Sequence, residues 1–242
     1  MKLLILAGTA EARELAARLS EHDVLLSLAG STRRPQDLPA PVRIGGFGGA
    51  RGQRDFLRAG GFDAVIDATH PFAARIGPRS AAICAELGLP YLRLLRPPWL
   101  PEPGWRTVAS EAEVGAALTG LLPEGGPVFF ATGPQSFAAI TLPPEIRPLV
   151  RRVDPPEAPL AGGEWLVARP PFTRAEEVAT LRNCGARALV CKNAGGAAGR
   201  AKLEAARELA LPVVMIERPA APPGVASVAE AVKWVEERDA MH

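Results

Sequence analysis

Lys2-Leu-Leu-Ile-Leu-Ala-Gly-Thr-Ala-Glu-Ala-Arg13 is the stretch that decides the fold. Leu3 to Leu6 form an unbroken apolar run, the pattern of a parallel strand covered on both faces. Gly8 then permits a turn that other residues resist, and Thr9 is placed as the N-cap of a helix. Glu11 falls in the first turn of that helix, whose Ala12, Leu15, Ala16 and Leu19 recur at helical spacing. A strand, a tight turn and a helix start in such close succession open a nucleotide-binding α/β domain. The helix N-terminus around Thr9, Ala10 and Glu11 would point its amides at a phosphate above the strand end. The full Gly-x-Gly-x-x-Gly fingerprint is missing, because the turn offers Gly8 alone among Ala7, Ala10 and Ala12. Taken by itself it reads equally as a dinucleotide site or as an α/β turn that binds nothing.

The same alternation continues along the chain. Strand-like runs fall at 3–6, 24–28, 42–44, 64–66, 91–94, 128–131, 149–153, 165–168, 188–191 and 213–216. Helical patterns at 11–19, 53–59, 73–87, 111–121, 174–183, 200–209 and 228–237 separate many of them. This predicts an α/β protein of two Rossmann-like domains with mainly parallel sheets and a cleft between them. The proline-rich stretch Arg96–Gly104 and the turn Pro123–Pro127 bracket the junction, giving one domain over 1–110 and a second over 111–242. Ala7-Gly8-Thr9 and Ala131-Thr132-Gly133 end strands in similar turns, so the halves read as an imperfect duplication.

With 242 residues, 48% of them hydrophobic, the chain can bury one large core or two modest ones, and no apolar run is long enough to cross a membrane. Its start lacks the pattern of a secretory leader, so a soluble cytoplasmic protein is expected. The net charge of +2 hides a skew toward arginine, whose guanidinium suits carboxylates and phosphates. No long basic run occurs and aromatics are 5%, which argues against nucleic-acid binding. Cys84, Cys184 and Cys191 sit in apolar patterns with no ligand spacing and read as buried free thiols, with no metal site. Tyr91 is followed four residues on by Leu95, so the Tyr-x-x-x-Lys pair of short-chain dehydrogenases is absent. Metal, serine-hydrolase and P-loop motifs are absent too, and hydride transfer, in which a cofactor carries the hard step, fits better than hydrolysis.

Four places carry candidate chemistry. Ser31, Thr32 and Arg33, past Gly30, lie where a dinucleotide's ribose is read; hydroxyls and guanidinium suit the 2′-phosphate of NADPH, the alternative being a solvated loop before Pro35. Arg43-Ile-Gly-Gly-Phe-Gly-Gly49 lets backbone approach a flat ligand at Gly46 and Phe47, or is a surface turn. Asp67-Ala-Thr-His-Pro-Phe-Ala73 puts Asp67, Thr69 and His70 at the carboxyl end of the sheet, with His70 either a cap for the next helix or a contact to nicotinamide or substrate. Lys192-Asn-Ala-Gly-Gly196, followed by Arg200 and Lys202, makes a glycine-rich turn flanked by cations that could cradle carboxylates through Asn193, Gly195 and Gly196. Thr173 and Glu176 form a capping box.

These stretches, joined in order by Leu6-Ala-Gly-Thr-Ala-Glu-Ala-Arg13, Ser27-Leu-Ala-Gly30, Arg96-Pro-Pro-Trp99, Pro171-Phe-Thr173, Lys202-Leu-Glu-Ala-Ala-Arg207 and Leu211-Pro-Val-Val-Met-Ile-Glu-Arg-Pro219, resemble the precorrin-6A reductase family of cobalamin biosynthesis. Two departures stand out. The family often has two glycines where Ala7 and Gly8 stand, and an arginine where Ser31 stands, so either Arg33 or Arg34 would meet the 2′-phosphate. The resemblance implies NADPH-dependent reduction of one double bond of the precorrin-6A macrocycle to precorrin-6B. Pyrophosphate would then lie at Gly8 and Thr9, nicotinamide near the catalytic candidates Thr69 and His70, and the anionic tetrapyrrole's carboxylates on Arg75, Arg96, Lys192, Arg200 and Lys202. The alternatives are a cobalt-precorrin-6A substrate, another NADP-dependent reductase, or a non-catalytic NADPH sensor.

Overall fold

A computed structural model describes residues 1–30 and 38–241. They form two compact units, Met1–Pro97 with Pro219 onward, and Pro98–Arg218. In the first unit β1 (Lys2–Leu6), α1 (Ala10–Arg18), β2 (Asp23–Leu28), β3 (Val42–Ile44), α2 (Gly49–Gly60), β4 (Ala64–Asp67), α3 (Ile76–Leu87) and β5 (Tyr91–Leu94) follow one another. The second unit holds β6 (Trp105–Val108), a 3₁₀ turn (Glu111–Glu113), α4 (Val114–Leu121), β7 (Gly126–Ala131), α5 (Pro134–Phe137), β8 (Ile146–Arg152), β9 (Glu164–Val167), α6 (Arg174–Asn183), β10 (Ala188–Lys192), α7 (Ala201–Glu208) and β11 (Val213–Ile216). The chain then returns to the first unit with β12 (Gly224–Val225) and α8 (Val228–Asp239).

Among the described residues every strand pair is parallel. The sheets run β12-β5-β4-β1-β2-β3 and β6-β11-β10-β7-β8-β9, so each has the doubly wound order in which the first strand of the motif lies beside its second and fourth. The topological switch point falls between β1 and β4 in one unit and between β7 and β10 in the other. Ligands of such sheets bind outside the carboxyl ends of the strands at that point.

Strand parity explains why the opening run is apolar throughout. Leu3 and Ile5 join Leu15 of α1 and Val232 and Val235 of α8 in one core layer. Leu4 and Leu6 face the other way, onto Leu57 of α2 and Ile83 and Cys84 of α3. Both faces of β1 are therefore covered, as a parallel strand requires.

The division of the chain differs from the expected 1–110 and 111–242. Residues from Pro219 onward rejoin the first unit because Gly224 and Val225 pair with Arg93 and Leu94, and α8 supplies the apolar stripe of Val228, Ala231, Val232 and Val235 that covers β1. The stretch after Pro98 belongs to the second unit, where Trp99 is buried in its core and β6 pairs with β11. Neither edge strand was anticipated: β12 is two residues long, and β6 buries only Val108. Helix α3 begins at Ile76 instead of residue 73, because the Ala73 N–H is taken by the His70 carbonyl in a turn. Among the described residues no helix is long and apolar enough to cross a membrane.

Candidate functional site

At the switch point of the first unit, Gly8 is exposed at φ +140°, a conformation that L side chains rarely adopt, with open space where a Cβ would stand. The Thr9 hydroxyl accepts from Ala12 N–H at 3.2 Å and donates to the Ala68 carbonyl at 2.8 Å, so one side chain caps α1 and ties it to the turn after β4. Ala10 is exposed as the first residue of α1. Glu11 pairs with Arg96 at 2.7 Å, which neutralises an acid lying in the helix's anion-favouring first turn. Thr9, Glu11, Thr69, Pro71 and Arg96 line a small cavity over these strand ends. An exposed glycine, a capped helix N-terminus and a basic side chain beside it make a set that can accept a diphosphate.

Beneath the cavity lies a buried network that the sequence reading missed. Asp67 continues the face of Val65, and the β4–β5 register sets it directly beside Arg93. Asp67 is 0% exposed and Arg93 3% exposed, with Nη1 donating to Oδ1 at 2.6 Å. Arg93 also donates to the Asp67 carbonyl at 3.0 Å, the Thr69 hydroxyl at 3.1 Å and the Thr69 carbonyl at 3.0 Å. Tyr91 gives its hydroxyl proton to Oδ2 of Asp67 at 2.9 Å; burial, then the neighbouring carboxylate, push that phenol far above its ordinary value, so it stays a donor. Asp67 was expected to meet the cofactor directly. Its carboxylate instead has no exposed surface and shapes the loop that carries Thr69. An arginine inside the buried-type strand Tyr91-Leu-Arg-Leu94 was the available signal, since a buried guanidinium demands an acid beside it.

The remaining first-unit candidates are placed as follows. His70 is half-buried and its Nδ1 accepts from Phe72 N–H at 3.3 Å, which caps the turn after β4; α3 starts too late for His70 to be its cap. Gly46 is exposed, and its carbonyl and that of Gly45 accept from Arg43 at 2.9 and 2.8 Å. The Phe47 ring is covered: the Arg43 guanidinium stacks 4.2 Å over it and Phe56 lies against it at 5.3 Å. Arg75 is exposed at the start of α3. Ser31, Thr32 and Arg33 lie outside the described residues.

In the second unit the Lys192–Gly196 turn follows β10, with Gly195 and Gly196 at φ +67° and +75°. Asn193, 1% exposed, was expected on a ligand but is engaged internally: its Oδ1 accepts from Trp99 N–H at 2.8 Å and its Nδ2 donates to the Trp99 carbonyl at 3.1 Å. The Trp99 indole donates to the Gly196 carbonyl at 2.8 Å, and Lys202 lies over the indole while donating to the Gly199 carbonyl. Lys192 faces Glu111 at 3.9 Å, and Arg200 faces Glu102 and Glu204 at 3.6 and 3.5 Å. Burial holds the Lys192 ammonium below its ordinary value, with Glu111 opposing. For Glu111, burial resists ionisation, but the Ser136 hydroxyl, its own N–H and Lys192 outweigh it and hold the carboxyl below its ordinary value. A carboxyl lowered on folding contributes stability that is present above its unfolded value and lost as pH falls through the folded one. The advantage of the wild type over Glu111→Gln in denaturant titrations is thus expected to vanish in acid; an advantage independent of pH would contradict this.

Cys84, Cys184 and Cys191 are free. Burial pushes the thiols of Cys84 and Cys191 up to about 12 and about 11, while Cys184 is only half-buried.

Two doubly wound sheets, an open glycine turn at one switch point and a cationic glycine turn at the other can be set against known proteins. A family model described as precorrin-6x reductase CbiJ/CobK matches residues 2–236. The precorrin-6A reductase of Rhodococcus erythropolis is 42% identical over 243 residues, 97% of each chain. That of Mycobacterium tuberculosis (strain ATCC 25618 / H37Rv) is 44% identical over 240 residues, again 97% of each. The cobalt-precorrin-6A reductase of Methanothermobacter thermautotrophicus is 30% identical, over 90% of this chain and 77% of the relative. A solved structure of CobK precorrin-6A reductase superposes with a TM-score of 0.90 at 40% identity, covering 98% of this chain and 97% of that one. With likeness running end to end in both sequence and fold, the chain belongs to the precorrin-6x reductase CbiJ/CobK family.

Proposed function

We propose that the protein reduces one double bond of metal-free precorrin-6A with NADPH, giving precorrin-6B in cytoplasmic cobalamin biosynthesis. The observation that carries the reading is a family match over residues 2–236 in a chain whose open Gly8 turn sits at the switch point. The metal-free substrate is favoured because relatives named for it are 42–44% identical, against 28–30% for relatives named for the cobalt form.

Bound NADPH supplies the hydride. The chain's own part is to bind and orient. Gly8, Thr9, Ala10 and Glu11 form the turn and helix start that hold the diphosphate, with Arg96 balancing the acid of Glu11. Ser31, Thr32 and Arg33 take the 2′-phosphate, Gly46 and Phe47 border the cofactor, and Thr69 and His70 meet the nicotinamide end. Arg75, Lys192, Arg200, Lys202 and the Gly195–Gly196 amides anchor the substrate's carboxylates. A conjugated macrocycle accepts hydride readily, so orientation matters more than a strong acid, and water supplies the accompanying proton.

In an anaerobic assay the protein is expected to oxidise NADPH and bleach precorrin-6A; faster turnover of the cobalt form, or none with either, would overturn the proposal. Arg33→Ala is expected to weaken NADPH about tenfold or more while leaving NADH unchanged, as loss of a charge-assisted hydrogen bond predicts. Equal losses for both nucleotides would remove Arg33 from the 2′-phosphate.

A further inference from the structure

The Thr69 hydroxyl lies between a group that can only accept and a group that can only donate. On one side, 2.7 Å away, is Oδ1 of Asp67, a carboxylate paired with an always-charged guanidinium. On the other side Nη1 of Arg93, which has only hydrogens to give, reaches the hydroxyl oxygen at 3.1 Å. The hydroxyl's single proton is therefore committed to Asp67, and one lone pair to Arg93. The backbone is pinned as well, since Thr69 N–H donates to Oδ1 of Asp67 at 3.0 Å and the Thr69 carbonyl accepts from Nη2 of Arg93 at 3.0 Å. Rotating the side chain to free its proton would break contacts to two nearly fully buried charges. What remains is the second lone pair of the hydroxyl, on a half-buried residue that lines the cavity above β4.

We propose that Thr69 acts as a fixed hydrogen-bond acceptor, receiving an N–H from the bound ligand and playing no part in supplying the reaction's proton. The inference rests on the reading that NADPH binds in this unit, and the N–H group is then the carboxamide –NH₂ of the nicotinamide. Thr69 would select for a carboxamide at that ring position and fix which way it turns. Asp67 and Arg93 are positioning residues that act through it: they aim the lone pair and never touch the cofactor.

The test compares NADP⁺ with its 3-acetylpyridine analogue, in which a methyl group replaces the amide nitrogen and no N–H can be given. Calorimetric titration of the wild type is expected to favour NADP⁺ by about tenfold, the worth of one well-made hydrogen bond. Thr69→Val should bind both nucleotides at the weaker level, and Thr69→Ser should restore the preference. The solvent isotope effect on turnover should be the same in Thr69→Val as in the wild type. A preference that survives in Thr69→Val would overturn the proposal. So would a Thr69→Val protein that binds NADP⁺ normally yet loses turnover, the signature of a missing proton donor. A wild type that binds neither nucleotide would overturn the cofactor reading and this inference together, whereas equal binding of both by the wild type would overturn this inference alone.

Discussion

Arg93→Met is expected to lose about 3–5 kcal/mol of stability, because removing one partner of a buried pair leaves the other charge uncompensated. Arg93 and Asp67 are 3% and 0% exposed and 2.6 Å apart, so little water can replace the missing guanidinium. The carboxylate would keep the Tyr91 and Thr69 donors but no countercharge. Asp67→Asn should cost a similar amount by stranding the guanidinium, whose Nε already lacks a partner. Tyr91→Phe, which deletes one donor shared between Asp67 and the Gly77 carbonyl and removes no charge, should cost about 1 kcal/mol. In the Asp67→Leu/Arg93→Met double variant the loss should be smaller than the sum of the singles, since no lone charge remains buried. Denaturant titration measures these values, and hydrogen exchange at the β4 and β5 amides assigns the loss to the first unit. A loss below about 1 kcal/mol in Arg93→Met or Asp67→Asn would mean that water or relaxation screens the pair.

That network also shows where sequence reading stops. The apolar run Leu3–Leu6, the turn at Gly8 and the cap at Thr9 are local facts, and β1, its turn and α1 follow from them. The alternation of strands and helices likewise announced two doubly wound sheets. Asp67 was placed at the correct strand end, but its burial depends on the register that puts Arg93 beside it, and register is a relation between distant segments. Phe47 was legible as an aromatic among glycines, whereas the Arg43 stacked on it becomes visible only once β3 and the loop are built. The return of the chain through β12 was hidden because two residues carry no periodicity, although the apolar stripe of α8 was read correctly as a helix.

Asn193→Ala is expected to cost about 2–6 kcal/mol, since it strands the buried backbone N–H and carbonyl of Trp99 and each stranded group costs about 1–3 kcal/mol. Trp99 and Asn193 lie 94 residues apart, and the amide meets the Trp99 N–H and carbonyl as a strand neighbour would. Nothing else in the amide's geometry is optional: the N–H requires the oxygen and the carbonyl requires the –NH₂, so the orientation is dictated. Asn193→Asp should fare no better. It keeps an acceptor for the N–H but sets a second oxygen against the Trp99 carbonyl and against Glu217, whose carboxylate lies 3.5 Å from Nδ2. Trp99→Phe separates the contributions, because it retains both backbone bonds and loses the indole's bond to Gly196, its contact with Lys202 and part of its core packing. The Gly196 carbonyl and the Lys192 side chain belong to the same turn, so loosening Asn193 also loosens the proposed carboxylate anchor. Alongside the stability loss, the KM for the tetrapyrrole should therefore rise more than the KM for NADPH, and a variant that keeps both constants while losing stability would separate the clamp from the substrate site.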